Sequence, residues 1–246
     1  MEEIRIHIET DHATKFSDLV KNIIYGGVDG VITTFSIISA SYAAEMDMKM
    51  ILVIAFSNVL ADGFSMGFGD YLSSMSEKEL AVSERRKEEV EYDTHKAHEV
   101  RELVELYAHK GLEEEDAFAL VSILAKDKYK EAFLDHMMMY ELGMSEPDET
   151  KEIVKKGVIT MVSFCAFGCV PLSAFAVARL FSIRDRRTVF MYSCLLCAMT
   201  LFSVGSLGAY VSRRPLLKAG TTTLVNGIIA SCLAYFIGWF LHKALA

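Results

Sequence analysis

The sequence predicts an all-α membrane protein with five transmembrane helices per protomer and a helical, water-soluble domain inserted between spans two and three. Three observations lead there. The mean hydropathy, +0.28, is high enough to suggest a membrane although 24% of residues are charged. The charge is segregated, with 21 acidic against 10 basic side chains in residues 76–150 and 12 against 15 in the remainder of the 246-residue chain. Five apolar stretches, two before the acidic segment and three after it, are each long enough at 1.5 Å per residue to cross hydrocarbon. The net charge of −8 therefore belongs to one soluble module, which argues against nucleic acid as a partner and for cations.

The expected organisation is a polar N-terminal segment at 1–20, two spans within 21–75, the acidic domain at 76–150 and three spans within 151–246. In the first segment Ile4, Ile6 and Ile8 alternate, as in a membrane-surface or domain-docking piece. It is charged and lacks an apolar h-region, so no cleavable signal peptide is evident and the first span is expected to direct insertion.

Span one, 22–44, carries Gly26 and Gly30 at a spacing that lets another helix approach closely, with Asp29 in the middle of the patch. In span two, 50–72, Gly63 and Gly67 repeat that spacing. Asn58, Asp62, Met66 and Gly69 recur every three or four residues, so they share a stripe that faces something other than lipid.

No helix breaker separates this span from the acidic segment, which predicts a stem helix to about Tyr92. Asp93 or Thr94 can cap a second helix that Gly111 ends, followed by a third over 113–125 and a fourth over 129–142 closed by Gly143 and Pro147. The last three spans are 158–181, 189–211 and 220–241. Pro171 removes a backbone hydrogen bond inside the first of these and kinks it, which membrane bundles tolerate.

Five spans put the two ends on opposite sides. The side with the acidic module holds 19 Lys plus Arg and the other side six, which places the module in the cytosol, although the short loop with Arg184, Arg186 and Arg187 votes the other way. The five cysteines, Cys165, Cys169, Cys194, Cys197 and Cys232, all lie in apolar stretches and read as small packing residues, since a thiolate is disfavoured in hydrocarbon.

A carboxylate at mid-bilayer costs roughly 2.5–3.5 kcal/mol on insertion scales. Asp29 and Asp62, with Asn58 and the Met66 thioether, therefore read as a path for a divalent cation. Oxygen ligands replace hydration water there, and calcium or magnesium would not favour the sulfur. The plainer alternative is interhelical hydrogen bonding, with Met66 filling space. Carboxylates that bind metal also exchange protons, so metal and H⁺ can use the same groups.

In the acidic module Glu84, Glu88 and Glu91 share one helical face, and His95, His98, Glu99 and Glu102 share a face of the next helix. Like charges at these spacings destabilise a helix and ask for a counter-ion. The alternative is a solvated face partly neutralised by Arg85, Arg86 and Lys87. The acids Glu113, Glu114, Glu115 and Asp116 complement a helix dipole and read as structural. In the segment 135–142, DHMMMYEL, three consecutive methionines cannot all face a core. Met137 and Met138 stand four and three residues before Glu141, and sulfur beside carboxylate suits a borderline metal such as ferrous iron better than a hard one. Adaptable packing is the other reading of these methionines.

In combination, GGVDG around Asp29, SMGFGDYLSSMSE from Ser65, MMMYELG from Met137 with Pro147 after it, and VPL at Val170 form a specific pattern. By it the chain resembles the vacuolar iron transporter family from Asp18 to Ala246. The resemblance implies a homodimer whose first-span helices line a central path, a cytosolic helical metal-binding domain, and proton-coupled movement of ferrous iron into a vacuole-like store. By position, Asp29 and Met66 match the family's pathway residues. Glu88, Glu91, Glu99, Glu141, Met137 and Met138 match its soluble metal site.

Two positions depart from plant members. Asn58 replaces a glutamate, with Asp62 one turn on as its candidate substitute. Lys96 replaces another, leaving His95, His98 or Glu102 to complete the shell.

The expectation is an antiporter in the membrane of an acidic intracellular compartment, sequestering Fe²⁺ and open to Zn²⁺, Mn²⁺ and Co²⁺, with no permanent cofactor. No bond is made or broken, so it is not an enzyme. A membrane-anchored metal buffer or sensor is the rival, but an anchor has no use for Asp29 and Asp62. A calcium-signalling module lacks EF-hand loop spacing here.

Overall fold

The computed structural model describes residues 2–145, 147–183 and 185–245, with side chains from Leu19 onward. Every regular element among them is helical: α1 (Glu2–Ala43), α2 (Met48–His109), α3 (Glu114–Leu124), a 3₁₀ turn (Asp127–Tyr129), α4 (Lys130–Tyr140), α5 (Thr150–Leu180), α6 (Arg186–Val211) and α7 (Leu216–Leu245). The chain divides into two compact units, one made of Met1–Tyr71 with Val154–Ala246 and the other of Leu72–Ile153. Five helices are long and apolar enough to cross a membrane: α1 from Leu19, α2, α5, α6 and α7.

Helix ends fall outside the apolar stretches because polar residues extend a helix without adding hydropathy. The polar N-terminal segment continues α1 rather than standing apart, and α5 starts at Thr150, eight residues before its predicted span. The side chains of Ile4, Ile6 and Ile8, and all of Arg184, lie outside the described residues. Helix α5 runs through Pro171 without interruption, and the Pro171 carbonyl accepts a hydrogen bond from Ser193 Oγ at 2.9 Å.

Within the first unit, α1 and α2 both lie against α5 through glycines. A Cβ on Gly26 would stand 2.6 Å from the Thr160 carbonyl oxygen, and one on Gly30 only 2.3 Å from that of Phe164. On α2, a Cβ on Gly67 would stand 2.6 Å from the Gly157 carbonyl oxygen. The two small-residue spacings are thus occupied by one helix of the same protomer. Helix α1 also meets α6 and α7: Gly208 fits Ile24, and a Cβ on Gly238 would stand 2.5 Å from the Ala40 carbonyl oxygen. Near its C-terminal end, the Arg186 guanidinium stacks on Tyr42 at 4.6 Å and donates to the Tyr42 carbonyl at 2.6 Å.

The second unit is built on a reversal inside α2. His95 has non-helical angles, φ −132° and ψ 36°, close to where Asp93 or Thr94 is expected to start a new helix. A straight helix would separate Glu88 and Glu99 by about 16 Å along its axis. Their carboxylate oxygens lie within 4.8 Å of each other, so the chain folds back at the break. The returning arm brings Leu103, Val104 and Tyr107 onto Tyr92, and α3 and α4 complete this core with Val121, Phe133 and Leu134. Gly111 (φ +105°) and Gly143 (φ +66°) end α2 and α4 in the left-handed region that glycine adopts without strain.

Close backbone approach predicts a graded response to added bulk. Gly30→Leu is expected to destabilise the detergent-solubilised protein by about 1–3 kcal/mol or prevent its folding. Gly69→Ala, where a Cβ meets nothing within 4 Å, is expected to leave thermal unfolding unchanged.

Candidate metal centre

The reversal at His95 turns two acidic helix faces toward each other. Glu88 and Glu99, each only 5% exposed, come together with Glu91 so that one carboxylate oxygen from each lies within 4.8 Å of the others. His98, Glu99 and Glu102 form a second such group that shares Glu99. Glu141, just past α4, adds its charge to the same cluster. Oxygen Oε2 of Glu88 is buried and has no hydrogen-bond partner among the described residues. A buried acceptor left in this way is costly, and a cation satisfies it.

The neighbouring cations are engaged elsewhere. Arg85 reaches across to α4, 2.8 Å from Glu131 and 2.5 Å from Asp135. Lys130 pairs with Asp93 and Glu89, Lys87 with Glu84, and Lys96 with Asp127. Apart from Lys87–Glu84, which lies within one turn of α2, these ion pairs clasp the segments of the unit together while leaving Glu88 without a cationic partner. Burial, reinforced by the charges of Glu141, Glu91, Glu99 and Glu102, pushes the Glu88 carboxyl up to about 7. Burial, followed by the charges of Glu102 and Glu91, also raises Glu99 and Glu141 above the usual carboxylate range.

The predicted residues do not all converge. His95 sits exposed at the break, its Nδ1 2.9 Å from Thr94 Oγ1, and belongs to neither group. His98 takes that place, with Nδ1 3.5 Å from Glu102 and 3.6 Å from Glu99. Met137 is fully buried in the apolar core with Tyr92, Leu103 and Phe133, which is the packing role. Met138 is 6% exposed, while Met139 points outward. Glu114, Glu115 and Asp116 occupy the first turn of α3, exposed and outside both groups.

In the membrane-crossing unit Asp29 is exposed on the protomer surface. It is close enough to Asp62 of α2 for the two carboxylates to repel each other, and Thr33, one turn along α1, is within hydrogen-bonding reach. The Asn58 amide donates to the Asp62 carboxylate one turn along α2, a hydrogen bond within one helix rather than between helices. Met66 is half-buried one turn further on, whereas Gly69 is open. Asp29 also lines a cleft of about 690 Å³ between α1, α6 and α7, beside Thr223 and Asn226.

One polar group escaped the sequence reading. Asp70 Oδ2 accepts from Asn22 Nδ2 at 3.0 Å and from Thr160 Oγ1 at 2.8 Å. Its four-residue step from Met66 was a usable signal.

A metal ion at this candidate site would compete with protons for the Glu88 cluster. Because its carboxyl titrates near 7 in the folded chain against 4.5 for the free group, the folded metal-free protein holds that proton more tightly. Its stability therefore rises as pH falls from about 7 to 4.5 and declines as pH rises through that window. A bound dication requires the ionised form. Titration of the purified full chain with Mn²⁺ or Co²⁺ is expected to show affinity falling below pH 7. Glu88→Gln should flatten that dependence and weaken binding by at least the roughly 10–100-fold that loss of a supporting ligand partner costs.

Comparison with known proteins identifies the family of the chain. Residues 20–239 match the model of the VIT family. Over 236 residues the chain is 35% identical to a protein named vacuolar iron transporter from Toxoplasma gondii, covering 94% of this chain and 77% of that one. A Plasmodium falciparum protein of the same name is 34% identical, covering 93% and 84%. Vacuolar iron transporter 1 of Arabidopsis thaliana is 27% identical, covering 92% and 88%. With a family match across nearly its whole length and relatives above 30% identity, the chain belongs to the VIT family.

Proposed function

We propose that this protein is a proton-coupled antiporter that moves ferrous iron out of the cytosol into a vacuole-like store, with Mn²⁺, Co²⁺ and Zn²⁺ as further candidate cargo. Membership of the VIT family and relatives named as transporters make it a transporter rather than an enzyme. Iron and the store are the reading its relatives' names support. The observation that carries transport is a pair of carboxylates, Asp29 on α1 and Asp62 on α2, within electrostatic reach of each other inside helices apolar enough to cross a membrane. Each costs roughly 2.5–3.5 kcal/mol to place at mid-bilayer, a cost that a passing cation offsets and that an anchor has no reason to carry.

In this reading the acidic unit lies in the cytosol and captures the ion through Glu88, Glu91, Glu99, Glu102 and Glu141, with His98 and Met138 at its edge. The membrane path takes the ion on Met66, Asp62 and Asp29, whose protons return in exchange. Two protomers with their α1 helices about a shared axis would cover the exposed Asp29. The mixed oxygen and sulfur set favours a borderline dication over calcium or magnesium.

A membrane-anchored metal buffer or sensor is the second reading, favoured by the self-sufficiency of the glutamate cluster in the acidic unit. Iron uptake into proteoliposomes under an imposed pH gradient separates the two. Uptake driven by the gradient and abolished by Asp29→Ala is expected. Uptake indifferent to both the gradient and the substitution would establish the buffer.

A further inference from the structure

Asp70 lies outside the metal path described above, yet it ties together the three helices that carry and support it. Its Oδ2 is shared by Asn22 of α1 and by the fully buried Thr160 of α5, and Asn22 Nδ2 also lies 3.1 Å from Thr160 Oγ1 and 3.3 Å from the Lys156 carbonyl. Seven residues separate Asn22 from Asp29, two turns of α1, and four separate Asp70 from Met66, one turn of α2. Asn58, Asp62, Met66 and Asp70 thus form one stripe, and the clasp stands on the same faces as the path residues.

The packing around the clasp explains why it is needed. Both α1 and α2 meet α5 through glycines, at Gly26 and Gly30 on one and Gly67 on the other. Glycine seams bring backbones close but present no interlocking side chain, so they resist separation better than sliding. Hydrogen bonds to one carboxylate are directional and fix the register.

We infer that Asp70 is a positioning residue for transport: held by Asn22 and Thr160, its carboxylate keeps α1 and α2 in register and so sets how far Asp29 stands from Asp62 and Met66. The inference rests on the transport reading above. It requires the carboxylate–amide pair and no contact between Asp70 and the ion.

The test compares the intact chain with Asp70→Ala, Asn22→Ala and the exchanged pair Asn22→Asp/Asp70→Asn, which keeps the hydrogen bond with its partners swapped. In proteoliposomes the alanine variants are expected to lose tenfold or more in maximal Fe²⁺ flux with little change in KM, since a small misplacement of reacting groups costs that much. The exchanged pair is expected to recover most of the flux.

A second readout needs no transport. Spin labels at Tyr25→Cys and Phe68→Cys, both exposed positions on α1 and α2, are placed in a chain whose five cysteines are replaced. They should give a narrow distance distribution in the intact chain and the exchanged pair, and a broad or shifted one in Asp70→Ala. An unchanged distribution in Asp70→Ala overturns the inference even if the intact chain fails to transport, a failure that would by itself sink only the transport reading. So does an exchanged pair that folds but carries no more flux than Asp70→Ala. Should Asp70→Ala not fold, the exchanged pair decides.

Discussion

Like charges held together without a counter-ion repel, and this chain holds them together in two places. In the acidic unit the return at His95 presses Glu88, Glu91, Glu99 and Glu102 into one cluster and α4 delivers Glu141 beside them. The apolar core under Tyr92, Leu103 and Phe133, with the ion pairs of Arg85 and Lys130, holds the helices in place against that repulsion. Burial first, and then this repulsion, push the Glu88 carboxyl toward neutrality. In the helices apolar enough to cross a membrane, Asp29 and Asp62 bring two further carboxylates within electrostatic reach of each other. Under the proposed function a dication would relieve both groups.

Close backbone packing makes the second arrangement possible. A carboxylate on α1 and one on α2 approach each other because both helices lie against α5 with glycine at the contacts. Any side chain at Gly30 or Gly67 would meet a carbonyl oxygen of α5 and force the helices apart. Smooth seams leave register undetermined, and the Asn22–Asp70–Thr160 bonds supply it. The glutamate cluster therefore depends on a helix that reverses, and the approach of Asp29 to Asp62 depends on helices that meet without side chains.

Sulfur is distributed in a way that separates packing from chemistry. Met137, four residues before Glu141, suggested a ligand from its spacing, and its side chain is fully buried in the apolar core that also holds Tyr92 and Phe133. Met138 faces inward at the next position and Met139 faces water. A helix that presents one methionine to a core necessarily turns the next by 100°, so three in a row cannot share one role.

The sequence by itself determined the helical class, the five apolar stretches, the acidic character of residues 76–150 and the turn glycines Gly111 and Gly143, because hydropathy, charge and left-handed backbone are local properties. It also singled out Asp29, Asp62, Glu88 and Glu99, since an intramembrane carboxylate or a like-charged helix face is anomalous wherever it packs. Only the tertiary structure set His98 rather than His95 beside Glu99 and Glu102, because a break at His95 interrupts the helical face they would otherwise share. It likewise decided that Arg85 and Lys130 serve α4 rather than the glutamates, that Met137 is core, and that Asp70 is held by Asn22 and Thr160. Each of these depends on which residues distant in the chain lie within a few ångströms of one another, and periodicity along one helix carries no information about its neighbours.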